Sequence, residues 1–400
     1  MGNSESTEIP TFNILALGMR GSGKTVFLAS LYHFLSAFRE NRGYFLSCTD
    51  ESKSADLLDK FGEISESDDW PEGNSTLDEY VFECCYQKPN NSGFEKVCRF
   101  RFIDYPGGWI LGQGAPTISI GRAALESDSI LLLLDGRKIK DLVDGVSQDG
   151  DRQSNGKQRS ILDDIQIMTP ILTQCIASKK PLHILITKSD ILNPKFYPLD
   201  KIQDALLKVE PFAHALTHQA QTMALHMAPV SSVGDGFVTY DKTTGQMKKT
   251  PQATVQPYNV DLSIALTMYD HLKAIADRVE PGVARAIRRG RRKKKIFESI
   301  ENALNSLASP VAVFLASNIS PDGGLSIGIG TLVIERFVNG FQEYVGKKKE
   351  ELDAEIAKMR ISMTDKNTAF GGILSIQALL IARFEEKLPA SNLAKRLLTQ

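Results

Sequence analysis

Apolar residues fall along the chain in short unbroken runs that alternate with stretches at helical spacing. "FNILALG" (Phe12 to Gly18) is an apolar run that stops at glycine, the pattern of a buried strand. "KTVFLASLYHFLSAF" follows, with Phe27, Leu28, Leu31, Phe34, Leu35 and Phe38 recurring on one helical face. "SILLLLDG", "LHILITKSD" and "MALHMAPVSS" repeat the strand pattern. Helical stretches "SILDDIQIMTPILTQCIA", "DKIQDALLKV" and "VDLSIALTMYDHLKAIADRV" separate or follow them. Pro170 predicts a break or kink in the first of these helices.

"EYVFECCY" and "FEKVCRFRFID" carry a different signal. Cys98, Phe100 and Phe102 alternate with Arg99 and Arg101, and "QKPNNSG" between the two runs is rich in turn formers. Period-two alternation around such a turn predicts an antiparallel hairpin. Strands alternating with helices predict an α/β fold: a mostly parallel sheet with helices on both faces and one antiparallel edge strand. Polar inserts interrupt it near residues 50–79, 137–157 and 235–257. The first reads as a long loop with some helix, and the last holds a hairpin. From Glu280 onward strand signals fade and helical patterns take over. The expected layout is a flexible tail over 1–10, an α/β domain over 11–279 and an α-helical domain over 280–400, divided near Pro281.

Composition narrows the class. Apolar residues make up 42% of the 400, enough for a sizeable core. The net charge of −1 argues against a general nucleic-acid binder, and no specific nucleic acid is expected. The five cysteines form no spaced framework, and the odd count with a vicinal pair fits reduced thiols in a cytoplasmic protein. No secretory signal is evident. "MGNSES" formally fits a myristoylation pattern but reads as a tail. The charge is uneven: seven basic residues lie between Arg288 and Lys295, just before apolar residues at helical spacing. That run reads either as an anionic-membrane contact, peripheral to the inner membrane face, or as a solvated helix end. The glycine-containing apolar segments beyond it never reach about 18 uninterrupted apolar residues, so buried helices are expected.

The chemistry enters at "GMRGSGKT", Gly18 to Thr25, which matches G-x-x-x-x-G-K-[ST] between a strand and a helix. Glycines 18, 21 and 23 let the backbone turn and aim successive N–H groups at an anion, with Arg20 and Ser22 between them. The helix N-terminus adds its partial positive charge. Lys24 is placed to reach the β- and γ-phosphates, and the Thr25 hydroxyl to ligate Mg²⁺. Asp104, at the end of the predicted hairpin, begins Asp104-Tyr105-Pro106-Gly107. In this D-x-x-G arrangement Asp104 would hold Mg²⁺ and the Gly107 N–H would touch a γ-phosphate. "TKSD" follows a later apolar strand. It resembles the [NT]-K-x-D guanine motif of the Ras-like GTPases, which implies that Asp190 accepts two hydrogen bonds from guanine, that Lys188 covers the base with its aliphatic stem, and that Thr187 opens the motif. Ser231 and Ser232, at the end of the next strand, sit where the same family places a backbone N–H contact to guanine O6, so the resemblance implies that they lie beside the guanine carbonyl.

In this order the motifs resemble the Ras-like (TRAFAC-class) P-loop GTPases over about Thr11 to Val279. "GMRGSGKTVFLASLYHFL" with "FIDYPGGWIL" looks like the bacterial YcjX-like stress GTPases and related GTPases of bacterial conflict systems. The resemblance implies GTP/GDP and Mg²⁺ as ligands and a switch that hydrolyses GTP. That pattern has an acidic residue between the glycine and Trp109; here Gly108 stands there, so no water-positioning role carries over.

Hydrolysis is therefore expected to be slow. Arg20 or Arg122 could stabilise transition-state charge, or a homodimer or activating partner could supply an arginine. Thr49 and Thr76 are the candidates for sensing γ-phosphate. Trp109 reads as a packing residue. Two alternatives stay open: a P-loop ATPase with a chance "TKSD", and a scaffold binding membrane or a partner with little turnover. Among the six histidines only His214 and His218 sit at ligand spacing, and that pair reads as helix surface.

Overall fold

The computed structural model describes residues 9–39, 42–88, 92–111, 118–145, 160–241, 246–288, 349–361 and 363–399, together with positions 302, 304, 311, 312 and 315. Its strands are β1 (Thr11–Leu17), β2 (Tyr44–Cys48), β3 (Asp78–Gln87), β4 (Phe94–Asp104), β5 (Ser129–Asp135), β6 (Leu182–Thr187) and β7 (Leu225–Pro229). They form one seven-stranded sheet in the order β2-β3-β4-β1-β5-β6-β7. Strands β4, β1, β5, β6 and β7 run parallel, and β3 runs against β4 and β2. A separate hairpin, β8 (Val238–Asp241) with β9 (Gln246–Lys249), lies in the insert after β7.

Both faces of the sheet are buried, which is why its parallel strands read as continuous apolar runs. Along β1, Phe12, Ile14 and Ala16 enter one core and Leu15 and Leu17 the other. On β5, Leu131 and Leu133 alternate in the same way with Ile130, Leu132 and Leu134. The first face is covered by α1 (Lys24–Ser36) and α8 (Leu262–Arg288), the second by α3 (Ile118–Glu126), α5 (Ile161–Ala177), α6 (Leu199–Leu206) and α7 (Glu210–Thr222).

Four elements differ from the pattern-based expectation. The reversed strand β3 is not at the edge: the five-residue β2 pairs with it and covers it. So short a run offers too little alternation to be read as a strand. Residues 51–66 form a full helix, α2 (Glu51–Glu66), capped by Asp50 Oδ1 accepting from Ser52 N and Lys53 N. Only Leu57 and Ile64 of it are buried, so its sequence is mostly polar. The insert after β5 begins with another helix, α4 (Gly136–Val143), capped by Asp135; residues 146–159 lie outside the described residues. Helix α5 is not broken at Pro170, which lies inside it, so of the expected break or kink only the break is excluded; the Thr169 and Thr173 hydroxyls donate to the carbonyls of Ile165 and Thr169.

The division expected near Pro281 falls inside α8, which runs on to Arg288. Beyond it come α9 (Lys349–Ile361), α10 (Lys366–Lys387) and α11 (Leu393–Thr399). Phe370, Ile373 and Leu379 of α10 belong to the same core as β1 and α1, and Leu393 of α11 belongs to the core on the other face. The described C-terminal helices thus share the sheet's two cores. Helix α10 is long and apolar enough to cross a membrane, but 67% of its apolar window is buried inside the fold, as in a core helix. Residues 1–8 and the basic run after Arg288 lie outside the described residues.

Candidate functional site

The parallel strands all end at one edge of the sheet, where open α/β folds place their ligand crevice. β1 leads there into the turn Gly18–Gly23 and then α1. Gly21 and Gly23 have φ of 83° and 86°, which side chains other than glycine rarely adopt, and Gly23 caps the helix. The turn is closed by Ser22 N donating to Met19 O at 3.1 Å. Lys24 Nζ donates to Gly18 O at 2.6 Å, which folds its side chain over the turn. Burial lowers the Lys24 pKa, with Asp104 opposing.

Asp104 ends β4 level with Ala16 of β1, so the strand register carries its carboxylate to the phosphate turn. It is 1% exposed. Asn74 Nδ2 donates to Asp104 Oδ2 at 2.9 Å, while Oδ1 is buried without a hydrogen-bond partner. The Thr25 hydroxyl and this free carboxylate oxygen are a donor pair suited to a hard cation such as Mg²⁺. Gly107 packs directly on the phosphate turn, and a Cβ there would collide with Arg20 N and the Met19 carbonyl carbon. The turn is tied by Trp109 N donating to Pro106 O at 3.0 Å, and Trp109 meets the Tyr105 ring edge-on at 5.8 Å.

A strap between α2 and β3 closes the phosphate side. Trp70, Pro71, Gly73, Asn74 and Ser75 line the cavity. The β8–β9 hairpin holds this strap from the other side. Lys249 Nζ donates to the carbonyls of Glu63, Ser67 and Asp69 at 2.9, 2.6 and 2.6 Å and lies 4.8 Å from the Trp70 ring centroid. Met247 of the same hairpin reaches the cavity wall.

The base side is built from the ends of β5, β6 and β7. Thr187 Oγ1 lies 2.7 Å from Ser22 O and 3.0 Å from Leu134 O, stapling β6 to the phosphate turn. Lys188 has φ 54°, and its Nζ donates to Gly21 O and Asp135 Oδ2, both at 2.8 Å. Its stem therefore arches toward the turn. Ser231 Oγ donates to Asp190 Oδ1 at 2.6 Å and accepts from Gly234 N at 2.8 Å. Asp190 Oδ2 is buried with no hydrogen-bond partner. Burial raises the Asp190 pKa, against the Ser231 hydrogen bond and its own backbone N–H.

One cavity of about 770 Å³ joins the two sides. Arg20, Gly21, Ser22, Gly23, Lys24, Thr25, Asp104, Gly107, Thr187, Lys188, Asp190 and Ser232 all line it. Gly18 and Ser231 stand one step behind, as acceptor for Lys24 and donor to Asp190. Arg122 lies elsewhere, exposed on α3 and paired with Glu126 at 3.3 Å. Neither Thr49 nor Thr76 lines the cavity; the strap hydroxyl that does is Ser75. His214 and His218 are exposed on α7, in keeping with a helix surface. The strap, Arg137 and Met247 escaped the sequence reading. The signal for the strap was a tryptophan inside an otherwise polar, turn-rich run.

The fold is a mostly parallel α/β sheet with a glycine-rich turn between β1 and α1 at its ligand edge and further helices at the C-terminal end. No protein-family description and no curated protein matches the sequence. Comparison with solved structures finds the translation elongation factor SelB of Methanococcus maripaludis with a GTP analogue, at 12% identity, 56% of this chain, 30% of that one and a TM-score of 0.25. It also finds the signal recognition particle receptor SRb-GTP/SRX complex of Chaetomium thermophilum, at 12%, 57%, 93% and 0.33. The GTPase-like domain of S. cerevisiae Ski7 with GDP and inorganic phosphate stands at 18%, 56%, 44% and 0.31. The chain spans under a third of the length of the elongation factor and under half of the Ski7 chain.

Proposed function

We propose that this chain is a Mg²⁺-dependent GTP-binding protein that hydrolyses GTP slowly and acts as a nucleotide-dependent switch for its C-terminal helices. The observation that carries the reading is Asp190. Its carboxylate lines the same cavity as Lys24 and Thr25; Ser231 occupies one oxygen, and the other is buried and unpaired. A guanine ring offers two N–H donors on the edge such an aspartate reads. Adenine lacks that pair and would leave the carboxylate desolvated and unpaired, at a cost of about 1–3 kcal/mol or more for a charged group. The solved neighbours include proteins bound to GTP or GDP, which agrees with the reading without carrying it.

Thr25 and Asp104 would hold Mg²⁺, which when bound neutralises charge on the β- and γ-phosphate oxygens. The chain's own groups do the rest. Lys24 leaves Gly18 O to reach the phosphates, the backbone N–H groups of the turn cradle them, and the Gly107 N–H contacts the terminal phosphate. Turnover is slow because Gly108 presents no polar group to orient water. Arg20 is the arginine of the phosphate turn that could act in cis, and a second copy or another partner could complete the site. The finer resemblance to the YcjX-like stress GTPases belongs to this reading, as do a cytoplasmic location and an anionic-membrane contact through Arg288–Lys295.

The test is competition on the full chain. GTP and GDP should displace a labelled guanine nucleotide, and ATP should not. Asp190→Asn should shift preference toward xanthine nucleotides. ATP displacing the label as well as GTP does would sink the reading.

A further inference from the structure

At the opposite end of the sheet from the nucleotide cavity, four elements bring together side chains that are far apart in sequence. His183 and His226 are the second residues of β6 and β7 and face each other in register. Their ring centroids lie 5.8 Å apart. Asp270 of α8 sits over them: its Oδ2 is 3.0 Å from His226 Nδ1 and 3.7 Å from His183 Nδ1. One ligand atom from each of the three residues lies within 4.8 Å of the others, and all three side chains are buried.

This cluster is poorly satisfied as it stands. His183 is 0% exposed, and neither ring nitrogen has a hydrogen-bond partner. Asp270 Oδ2 is ion-paired with His226 Nδ1 at 3.0 Å, though without good hydrogen-bond angles, so His183 is the member of the cluster left without a hydrogen-bond partner. An imidazole always has hydrogen-bonding capacity to fill, and a buried carboxylate has more. Leaving them unpaired is costly, and natural cores leave such groups only where a water, an ion or a function accounts for them. Leu185, on the same face of β6 and two residues on, shows that an apolar side chain fits this layer.

We infer that His183, His226 and Asp270 form a binding site for a divalent transition-metal ion of the zinc type, which pins α8 and α10 to β6 and β7. Two imidazoles and a carboxylate suit Zn²⁺ and disfavour Mg²⁺ or Ca²⁺, which prefer all-oxygen sets. Tetrahedral Zn²⁺ with bonds of about 2.0–2.1 Å holds its ligand atoms about 3.3 Å apart; the 3.0 and 3.7 Å separations from Asp270 bracket that spacing, and the three ligand atoms all lie within 4.8 Å of one another, so the ion would draw the widest pair together. The second shell is present too. His226 Nε2 lies 3.0 Å from Glu385 Oε1 of α10, and Asn392 Nδ2 donates to the same oxygen at 3.2 Å. A carboxylate on the far nitrogen of a ligating histidine fixes its tautomer and ring orientation. Water would take the fourth position.

The full chain, purified without a histidine tag, is dialysed against buffered Zn²⁺ and then against zinc-free buffer containing Mg²⁺ and GDP. Elemental analysis should find about one Zn²⁺ per chain, and Co²⁺ substitution should give the visible absorption of a tetrahedral nitrogen–oxygen site. His183→Phe should abolish both, whereas the double variant His214→Ala/His218→Ala should keep both. Near-zero zinc in the wild type with no rise in melting temperature on adding Zn²⁺ overturns the inference. So does loss of the ion in the His214→Ala/His218→Ala variant but not in His183→Phe. The wild-type measurement stands even if His183→Phe fails to fold.

Discussion

Asn74 Nδ2 donates to Asp104 Oδ2 at 2.9 Å, joining the strap over the cavity to the carboxylate that ends β4. The contact leaves Asp104 Oδ1 alone for a cation and makes the strap's position depend on Asp104. Asn74→Ala should therefore loosen the strap and speed release of fluorescent GDP several-fold in stopped-flow, with a smaller change in association. An unchanged release rate would mean that the strap is held by other contacts alone.

Asp104 also sets a pH dependence. Burial pushes its carboxyl up to about 6, against the pull of Lys24 and Asn74. Mg²⁺ requires the ionised form. The Mg²⁺-dependent part of nucleotide affinity should hold above pH 7 and fall about tenfold per pH unit below 6, as one proton competes with one cation. Comparing wild type with Asp104→Asn removes the titration of the nucleotide itself, since both share it. For folding without ligand the sign is reversed. The folded value of about 6 exceeds the ordinary 3.8, so this group's stabilising contribution is complete below about 3.8 and is lost as pH rises through 6. A Mg²⁺ dependence flat down to pH 5 would remove Asp104 from the cation site.

Lys249 couples the hairpin insert to the strap through the carbonyls of Glu63, Ser67 and Asp69 and the Trp70 ring. Lys249→Ala removes every one of these ties at once and leaves the phosphate turn untouched. Nucleotide release should quicken, and the region 67–75 should lose hydrogen-exchange protection before the rest of the fold. Lys249→Arg should restore part of both effects. Equal release rates in all three proteins would leave the hairpin without a role in retention.

The parts of this site that were legible in the sequence are those built from consecutive residues. "GMRGSGKT", "DYPG" and "TKSD" each sit on one turn at a strand end, so local spacing alone described their geometry, and the parallel sheet then brought the turns to a single edge. What stayed hidden was assembled across distance. Asn74 gains meaning only beside Asp104, and Lys249 only beside residues 63–69. His183, His226 and Asp270 come from three elements whose sequence spacing resembles no ligand motif. Helix α2 was obscured for another reason: a helix burying only Leu57 and Ile64 carries too little apolar periodicity to stand out from a polar loop. Strand β2 was too short, and without it β3 looked like an edge.

Gly107 and Gly108 are adjacent glycines with opposite constraints. A Cβ at Gly107 would strike the backbone of Met19 and Arg20, whereas one at Gly108 would meet nothing within 4 Å. Gly108 also lines the cavity and lacks the positive φ that would exclude a side chain. Gly107→Ala should push the turn off the phosphate loop and, by removing the contact to the terminal phosphate, weaken GTP binding more than GDP binding. Gly108→Gln should leave nucleotide affinity within about twofold and place a polar group where water would attack. A well-positioned group of this kind contributes about 10²–10⁴-fold, and an unoptimised one should still raise the single-turnover rate about tenfold. The measurement is single-turnover GTP hydrolysis at low protein concentration, where self-association cannot supply an arginine. If Gly108→Gln binds GTP normally and its rate does not move, slow turnover does not arise from the missing side chain at 108. The deficit would then lie in transition-state charge, and adding a second copy of the chain should raise the rate of wild type and variant alike.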